Sequence, residues 1–261
     1  MGPDASLESD RPPTLEPPGD KPGALAMAGR WIWRIIKLAL LLFVLAHVYA
    51  LALKWVPVPG SITMVERTLG GDEFRRIIMP IDRISPNLVT AVIAAEDSRF
   101  CEHDGIDFEA VQKAVEERER GGRLRGASTI TQQTAKNVFF WNGGGYVRKG
   151  GEAWFALFID GMWGKRRVME NYLNTIEWGD GIFGAEAAAR IRFGKRAADL
   201  SEREAALLAA VLPNPHKWRV DPPGPYVSQR AGTLQARMRV VANEGLDDCV
   251  LDPEKSAARQ P

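Results

Sequence analysis

Two adjacent carboxylates, Glu96 and Asp97, stand at the end of an apolar stripe and are the first candidates for acid–base chemistry. A carboxylate placed where a buried stripe becomes polar is partly desolvated, which raises its pKa toward the range of a general base. Glu96 is therefore the candidate base, and an acidic pair on a solvated helix end is the alternative. The stripe before the pair has helical spacing and consists of Leu88, Ala91, Val92 and Ala95.

The same segment places Phe100 and His103 four and seven residues after Glu96. Positions i, i+4 and i+7 share one face of an α-helix, so a helix that continues through His103 directs all three side chains the same way. Ser85 and Pro86 are typical of the N-cap and first position of such a helix. We therefore expect one helix face to present these three side chains together.

A second cluster supplies hydroxyls, amides and a cation. Thr129 and Gln132 match a capping box, so a helix is expected to begin at Ser128 or Thr129. The N-terminus of a helix offers free N–H groups and the positive end of its dipole to an anion. The candidate substrate-binding residues here are Ser128, Thr129, Gln133, Lys136 and Asn137.

A third cluster places two cations beside a second carboxylate. Glu152 follows Arg148 and Lys149 at the spacing of neighbours on a helix surface. An ion pair on a solvated helix is the alternative for such a group. Gly150 and Gly151 between them each cost about 1 kcal/mol relative to alanine in a helix, so we expect another group to approach this helix closely.

A fourth cluster in residues 165–177 adds cations, carboxylates and amides before a Gly-Asp-Gly loop. Two carboxylates with several fixed cations suit a reaction in which a nucleophile loses a proton and a phosphate group leaves. The residues of the fourth cluster are Lys165, Arg166, Arg167, Glu170, Tyr172, Asn174 and Glu177.

Composition narrows the classes of protein and the kinds of site that this chain can contain. With 261 residues and a formal net charge of +1, the chain can hold one sizeable domain and has no global field for nucleic acid. The three histidines are too scattered for a histidine zinc site, and no metal centre is predicted. Cys101 and Cys249 could pair in an oxidising compartment, but neither their spacing nor their context indicates a disulfide.

An apolar segment, residues 31–55, is expected to form an uncleaved transmembrane signal anchor, with tryptophans at both interfaces. Positive charge is concentrated before the segment. This leaves residues 1–30 in the cytoplasm as a disordered, proline-rich tail and residues 56–242 outside. A cleaved signal peptide ending near Ala52 and a buried core helix are the alternatives.

Helical patterns recur after this segment, and no convincing strand pattern follows Thr63. Asp107 is a candidate N-cap, and Ser201 with Glu204 matches a second capping box. The Ala/Leu-rich helix after Ser201 is apolar nearly all round, which predicts a central position. We expect an all-α domain without repeats, followed by a flexible tail over residues 243–261.

Five segments, in order, resemble the five signature motifs of family 51 glycosyltransferases, the peptidoglycan glycosyltransferases that polymerise lipid II. The resemblance covers about residues 62–241 and is closest to the monofunctional members of Gram-negative bacteria. The segments are AAEDSRFCEHDGID, GASTITQQTAKN, RKGGE, KRRVMENYLNTIEWGDGIFG and LSEREAALLAAVLPNP.

The resemblance implies a mainly α, lysozyme-like glycosyltransferase domain with a membrane-proximal jaw lobe, preceded by one transmembrane helix. It implies an inverting enzyme that joins lipid II into linear β-1,4 glycan strands and releases undecaprenyl pyrophosphate. The expected partners are lipid II, the growing glycan strand and the bacterial inner membrane, with the catalytic domain in the periplasm and no nucleic acid. No cofactor is expected to be required. The sequence leaves open a divalent cation (Mg²⁺ or Mn²⁺) at Glu152 and contacts with other cell-wall synthesis and division proteins.

The resemblance also implies roles for individual residues. The family's base corresponds to Glu96 and its second essential carboxylate to Glu152. The positions that contact the donor pyrophosphate correspond to Lys136, Arg148 and Lys149. The polar lining between the two sugar sites corresponds to Thr129, Gln133 and Asn137. The other expected substrate contacts are Asp97, Phe100, His103 and Ser128.

Two positions depart from the family pattern, where Ala127 replaces a common glycine and Arg192 a usual tyrosine. Neither S-x-x-K nor K-T-G occurs, so no transpeptidase chemistry is expected. A lysozyme-like hydrolase and a non-catalytic scaffold are the competing functions. A hydrolase needs no phosphate cradle, and a scaffold tolerates loss of either carboxylate.

Overall fold

The computed structural model describes residues 24–122, 128–141 and 143–257, which divide into two units between Val48 and Tyr49. The chain is mainly helical, as expected. The helices are α1 (Ala24–Ala52), α2 (Ile62–Gly70), α3 (Pro86–Glu96), α4 (Phe108–Glu119), α5 (Ile130–Phe139), α6 (Gly145–Trp163), α7 (Lys165–Thr175), α8 (Ala185–Phe193), α9 (Glu202–Val211), α10 (Pro225–Glu244), α11 (Asp248–Leu251) and α12 (Pro253–Ala257). The strands are β1 (Arg75–Arg76), β2 (Glu177–Gly179) and β3 (Ile182–Phe183).

Helix α1 is compatible with a single-pass membrane anchor. Its 26 residues from Met27 to Ala52 are long and apolar enough to cross a bilayer, which needs about 20 residues. The helix begins at Ala24, inside the tail predicted to be disordered, because Ala, Leu and Met favour helix there. It ends at Ala52 instead of continuing to Trp55. Residues 1–23 of the predicted tail lie outside the described residues.

The core of the second unit is built around α3, α9 and α10. Helices α9 and α10 pack against each other and against α3. Every side chain from Ala205 to Val211 in α9 is buried, which agrees with the central position predicted from its composition. The capping box of Ser201 and Glu204 begins this helix as predicted. The rigid packing of these helices fixes the C-terminal end of α3, where Glu96 lies.

Helix α5 packs against α6 and α7 and forms the other wall of the site. The side chain of Thr129 accepts a hydrogen bond from the Gln132 N–H, and the predicted capping box is present. Asp107 likewise caps α4, accepting from the Ala110 N–H at 2.9 Å. Local sequence therefore sets where these two helices begin.

A small sheet corrects the expectation of an all-α domain. Strand β3 pairs in parallel with β1 and antiparallel with β2, so the strand order is β1-β3-β2. The strands have two or three residues each, too short for a period-two pattern to show in the sequence. The turn between β2 and β3 needs glycine at Gly181, where φ is +67° and a Cβ would lie 2.8 Å from the Glu73 carbonyl oxygen.

Residues 243–251, part of the predicted flexible tail, pack against the core in this structure. Helix α10 runs to Glu244, and α11 and α12 follow it. Cys249 forms a disulfide with Cys101, a pairing that the sequence did not indicate, across a Cα–Cα distance of 5.6 Å. Asp247 is buried and accepts a hydrogen bond from the Thr90 hydroxyl at 2.5 Å. These contacts, distant in sequence, fasten the C-terminal segment to the core.

Candidate active site

Glu96 is the last residue of α3 and is half-buried. Its Oε2 accepts a hydrogen bond from Gln133 Nε2 at 2.9 Å. Burial raises the pKa of Glu96; the Gln133 bond and the Arg230 charge lower it, and the Asp97 charge raises it further. The net direction is upward, which suits a carboxylate that must accept a proton near neutral pH.

Because α3 ends at Glu96, the predicted helix face running on to Phe100 and His103 is wrong. The backbone leaves helical geometry at Asp97, with φ −162°, and the chain turns. Phe100 is completely buried in the core. The structure therefore gives no support to the expected substrate contact of Phe100.

Asp97 explains why the helix stops. Its carboxylate accepts hydrogen bonds from the Ile130 N–H at the start of α5 and from His103 Nε2, each at 3.0 Å. Asp97 and His103 are both buried, at 8% and 9% exposure. The anion held by the N-terminus of α5 is thus Asp97 itself. Both side chains thus face inward and connect the residue after Glu96 to the start of α5.

Thr129 is also internal. It is 3% exposed, and its hydroxyl donates to the Gly105 carbonyl oxygen at 2.6 Å while capping α5. Gly105 has φ +83°, and a Cβ there would lie 2.7 Å from the Ala156 carbonyl oxygen, so only glycine fits. Thr129 therefore fixes the loop after Glu96 to α5.

Gln133 is held from two sides. The Tyr172 hydroxyl donates to Gln133 Oε1 at 3.3 Å, and Gln133 Nε2 donates to Glu96. Burial raises the pKa of Tyr172 well above its ordinary value, so the phenol stays protonated as a donor. The chain Tyr172–Gln133–Glu96 orients the carboxylate and fixes which end of the amide faces it.

Two cations flank Glu152, which is 2% exposed, and a third, Lys136, lies close enough to them for their charges to interact. Arg148 pairs with Glu152 Oε1, and Lys149 Nζ lies 3.4 Å from Oε2. Burial and the charge of Arg148 lower the pKa of Lys136. Burial and the charges of Arg148 and Lys136 lower the pKa of Lys149. The cluster of Lys136, Arg148 and Lys149 therefore carries more positive charge than Glu152 neutralises, which favours an anion there.

Ser128 and Asn137 complete the sequence-predicted set. Lys149 Nζ donates to Ser128 Oγ at 3.1 Å, which connects α6 to the start of α5. Ser128 also lines a cavity of about 200 Å³ that reaches Glu96. Asn137 and Lys136 line a second cavity of about 200 Å³. The carboxylate and the cation cluster thus open onto two cavities that both border α5.

A larger cavity, about 580 Å³, has an acidic lining that does not suit a phosphate. Among the described residues, its Glu177, Asp180 and His216 form the one group of side chains with donor atoms close enough to share a metal ion. Arg67 already pairs with both carboxylates, at 2.8 and 2.6 Å. Both oxygens of Glu152 pair with cations as well, so Glu152 does not fit a divalent cation in this arrangement.

The glycines of α6 meet the expectation of close approach at one position. A Cβ on Gly151 would lie 2.8 Å from the ring of Phe140. Around Gly150, in contrast, there is open space within 4 Å. Gly151 therefore lets the chain after α5 pack onto α6 beside the cation cluster.

Apart from Tyr172, which binds Gln133, the fourth cluster is occupied by contacts within the fold. Its cations are paired, Lys165 with Asp160 at 2.8 Å, Arg166 with Asp82 and Arg167 with Glu170. The Asn174 side-chain amide accepts a hydrogen bond from the Met79 N–H and donates one to the Met79 carbonyl oxygen. These groups hold α7 against its neighbours.

Residues 63–244 of this chain match the family model described as Transglycosylase, which is more than half of the chain. The chain belongs to this transglycosylase family. Among curated proteins it is 56% identical to a biosynthetic peptidoglycan transglycosylase of Rhodospirillum centenum over 83% of this chain and 92% of that protein. The Caulobacter vibrioides protein of that name is 49% identical over 85% and 99% of the two chains. The Pseudomonas aeruginosa protein is 47% identical over 87% and 99%. The resemblance seen in the motifs is confirmed.

The two departures from the family pattern have different outcomes. Ala127 lies outside the described residues. The guanidinium of Arg192 covers Gly179, where a Cβ would clash with it. Arg192 thus takes a packing position beside the β2–β3 turn of the transglycosylase domain and does not touch the carboxylates of the site.

Sequence analysis did not single out Arg230, whose charge lowers the pKa of Glu96. Arg230 lies on α10, far along the chain from the motifs around Glu96 and Glu152. No local pattern marks it, because its position depends on how α10 packs against α3.

Proposed function

We propose that this chain polymerises lipid II into linear glycan strands through β-1,4 bonds, releases undecaprenyl pyrophosphate, and has no transpeptidase activity. Membership of the transglycosylase family and the names of the relatives support glycan polymerisation. The observation that carries the proposal is a carboxylate with a raised pKa and, one turn along α5 from the Gln133 that binds it, a cluster of three cations with one carboxylate between them.

Helix α5 sets the distance between these two groups. Gln133, which binds Glu96, and Lys136, which belongs to the cation cluster, are one helical turn apart. Side chains at i and i+3 have Cβ atoms about 5–6 Å apart. At this distance a proton acceptor can take the proton of the attacking hydroxyl while the cations bind the pyrophosphate that leaves.

In the proposed reaction Glu96 accepts the proton of the acceptor GlcNAc 4-hydroxyl, and the oxygen attacks C1 of the donor MurNAc. The bond from C1 to the pyrophosphate oxygen breaks, with inversion at C1. Lys136, Arg148 and Lys149 stabilise the negative charge on the leaving group. Glu152 holds Arg148 and Lys149 in place, and no step requires a metal ion.

The location proposed for the reaction is the periplasmic face of the bacterial inner membrane. Helix α1 is long and apolar enough to span it. Arg30, Arg34 and Lys37 precede or begin the apolar run, against Lys54 alone after it, which favours a cytoplasmic N-terminus. The catalytic unit would then meet a lipid-linked substrate at the surface in which the substrate is anchored.

The test is to incubate the purified full chain in detergent with fluorescent lipid II and to separate the products on a gel. A ladder of polymer that a muramidase degrades supports the proposal, and products without peptide crosslinks support the absence of transpeptidase activity. Failure to form polymer at any pH between 5 and 9 with a folded enzyme would contradict it.

A further inference from the structure

The C-terminal end of α1 belongs to the catalytic unit. We call residues 49–59 the joint segment; it lies within the second structural unit, which begins at Tyr49. Ala50, Leu53 and Val58 are each at most 2% exposed, and Leu53 and Val58 lie in the hydrophobic core of that unit. The apolar run that is long enough to cross a bilayer therefore ends in residues that pack within the fold.

The sequence leaves backbone carbonyl groups of the joint segment without main-chain donors. The last four carbonyl groups of an α-helix have no partner within the helix, and proline has no N–H to donate. The Lys54 N–H donates to the Leu51 carbonyl oxygen at 3.1 Å instead of to that of Ala50. The residue four positions after Leu53, where a helical donor would lie, is Pro57. The last turn of α1 also contains no basic residue to stabilise the negative end of the helix dipole.

Two side chains from α6 and α7 supply these donors. The Trp163 indole Nε1–H donates to the Ala50 carbonyl oxygen at 2.8 Å. The Arg167 guanidinium donates to the Leu53 carbonyl oxygen from Nε at 3.1 Å and from Nη2 at 2.8 Å. Its Nη2 also donates to the Val56 carbonyl oxygen at 2.6 Å. A positive charge thus lies where the helix dipole favours one.

These contacts have a fixed geometry. Arg167 pairs with Glu170 on its own helix, and both side chains are only 17% exposed. The planar guanidinium is therefore held from the side opposite the carbonyl groups that it binds. Arg76 of β1 extends the arrangement, donating to the Val58 carbonyl oxygen at 2.9 Å and to the Pro59 carbonyl oxygen at 3.0 Å.

Helix α7 connects the joint segment to the base. Arg167 lies on the same helix as Tyr172, whose hydroxyl binds Gln133, and Gln133 in turn binds Glu96. The proposed substrate is held in the bilayer by its lipid, so the height of Glu96 above the membrane decides whether the acceptor hydroxyl reaches it. A misplacement of about 1 Å can cost about 10²-fold in rate. A free linker at residues 49–59 would leave that height undefined.

We propose that Trp163 and Arg167 are positioning residues, which bind the joint segment to the catalytic unit and thereby keep the active site at a set height above the bilayer. This inference rests on the proposed function, since it concerns how the same site reaches a substrate anchored in a membrane. It gives the end of α1 a part in catalysis in addition to attachment.

Contacts that only stabilised the fold would affect all forms of the substrate equally. A detergent micelle adapts to the shape of the protein, whereas a bilayer presents its lipids at a fixed depth. Arg166, next to Arg167 on α7, provides a matched control. It also pairs with one carboxylate, that of Asp82, and donates to one carbonyl oxygen, that of Val250, outside the joint segment.

The experiment compares Arg167→Met, Trp163→Phe and Arg166→Met in the full chain. Fluorescent lipid II is supplied either in the phosphatidylethanolamine–phosphatidylglycerol vesicles that hold the enzyme or in detergent micelles. Arg167→Met keeps an aliphatic side chain and loses the carbonyl contacts, so its polymerisation rate should fall about 10-fold or more in vesicles and much less in detergent. Trp163→Phe should show a smaller loss in the same direction, and Arg166→Met should keep the wild-type ratio of the two rates. Losses of equal size in vesicles and detergent would overturn the proposal.

Hydrogen exchange of the full chain in the same vesicles, read by mass spectrometry, does not depend on turnover. The amides of the joint segment should exchange faster in Arg167→Met than in wild type, and at the wild-type rate in Arg166→Met. Unchanged exchange in both Arg167→Met and Trp163→Phe contradicts the proposal. If Arg167→Met does not fold, Trp163→Phe decides alone, by the same two measurements. If the wild type makes no polymer, the proposed function fails, while exchange still decides whether these side chains hold the segment.

Discussion

Gln133 donates from Nε2 to Glu96 Oε2 at 2.9 Å and accepts from the Tyr172 hydroxyl at 3.3 Å, so one amide connects the base to a buried phenol. The amide has a fixed orientation because its oxygen faces a donor and its nitrogen faces a carboxylate. One helical turn later, Lys136 faces the cation cluster. Helix α5 is thus the element that relates proton acceptance to anion binding.

Gln133→Glu should damage the site more than Gln133→Ala. The Glu variant places a second carboxylate against Glu96 and raises the pKa of the pair, so activity should fall most at low pH and recover in part at high pH. The Ala variant should lose rate at all pH values through poorer orientation. Polymerisation rates across a pH series check both. Equal rates for the two variants at low pH would contradict this role.

Loss of a single cation from the cluster should weaken turnover. Arg148→Ala or Lys149→Ala removes a charge-assisted hydrogen bond worth about 1.5–3 kcal/mol, or about 10- to 100-fold in kcat/KM. Arg148→Lys should recover only part of this, because the planar fork that can pair with both Glu152 and an anion is lost.

Arg196→Ala is the control for the cation variants, since Arg196 is exposed and pairs with Asp199 away from the site. It should retain wild-type kinetics. Wild-type activity in both Arg148→Ala and Lys149→Ala would show that the anion site lies elsewhere in the chain.

The raised pKa of Glu96 makes a prediction about stability as well as rate. A carboxyl whose folded pKa lies above its unfolded value binds its proton more tightly when folded. That contribution favours the folded state fully below the unfolded pKa and is lost as the pH rises through the folded pKa. Glu96→Gln, which removes the buried charge, should therefore be more stable than wild type at pH 7, with the difference shrinking below the ordinary glutamate range. Denaturant unfolding at several pH values measures this, and a variant less stable at pH 7 contradicts it.

The disulfide between Cys101 and Cys249 should contribute substantially to stability. It closes a sequence separation of 148 residues, and bridges over long loops contribute about 2–4 kcal/mol. The Cys101→Ser, Cys249→Ser double variant should unfold at lower denaturant concentration than the oxidised wild type, and reduced wild type should match the variant. No difference between oxidised and reduced protein would contradict the expectation.

Features governed by local sequence could be predicted, and features governed by packing could not. The caps at Asp107, Thr129 and Ser201 follow from side chains that bond the next turn of their own helix. The end of α3 depends on Asp97 reaching the start of α5, a contact between residues 33 apart in sequence. A helical pattern in the sequence carries no record of that contact.

Within the site as well, local sequence predicts some features and packing between distant segments determines the others. The pairing of Glu152 with Arg148 and Lys149 lies within one helix, and its spacing predicted it. The buried positions of Phe100 and His103, the Cys101–Cys249 bridge and the unpaired Arg230 all depend on elements brought together by folding. Residue type suggested substrate contacts for Asp97 and His103, but the fold buries both and pairs them with each other.

The central claim is that Glu96 is the base, and its most direct test is the polymerisation rate of Glu96→Gln on lipid II. General base catalysis is worth about 10²–10⁴-fold, so the variant should lose at least two orders of magnitude in kcat. Its circular dichroism and its lipid II binding should remain intact. Glu116→Gln, which changes a partly exposed carboxylate on α4, should keep the wild-type rate. A folded Glu96→Gln enzyme that polymerises at a near-normal rate would contradict the account.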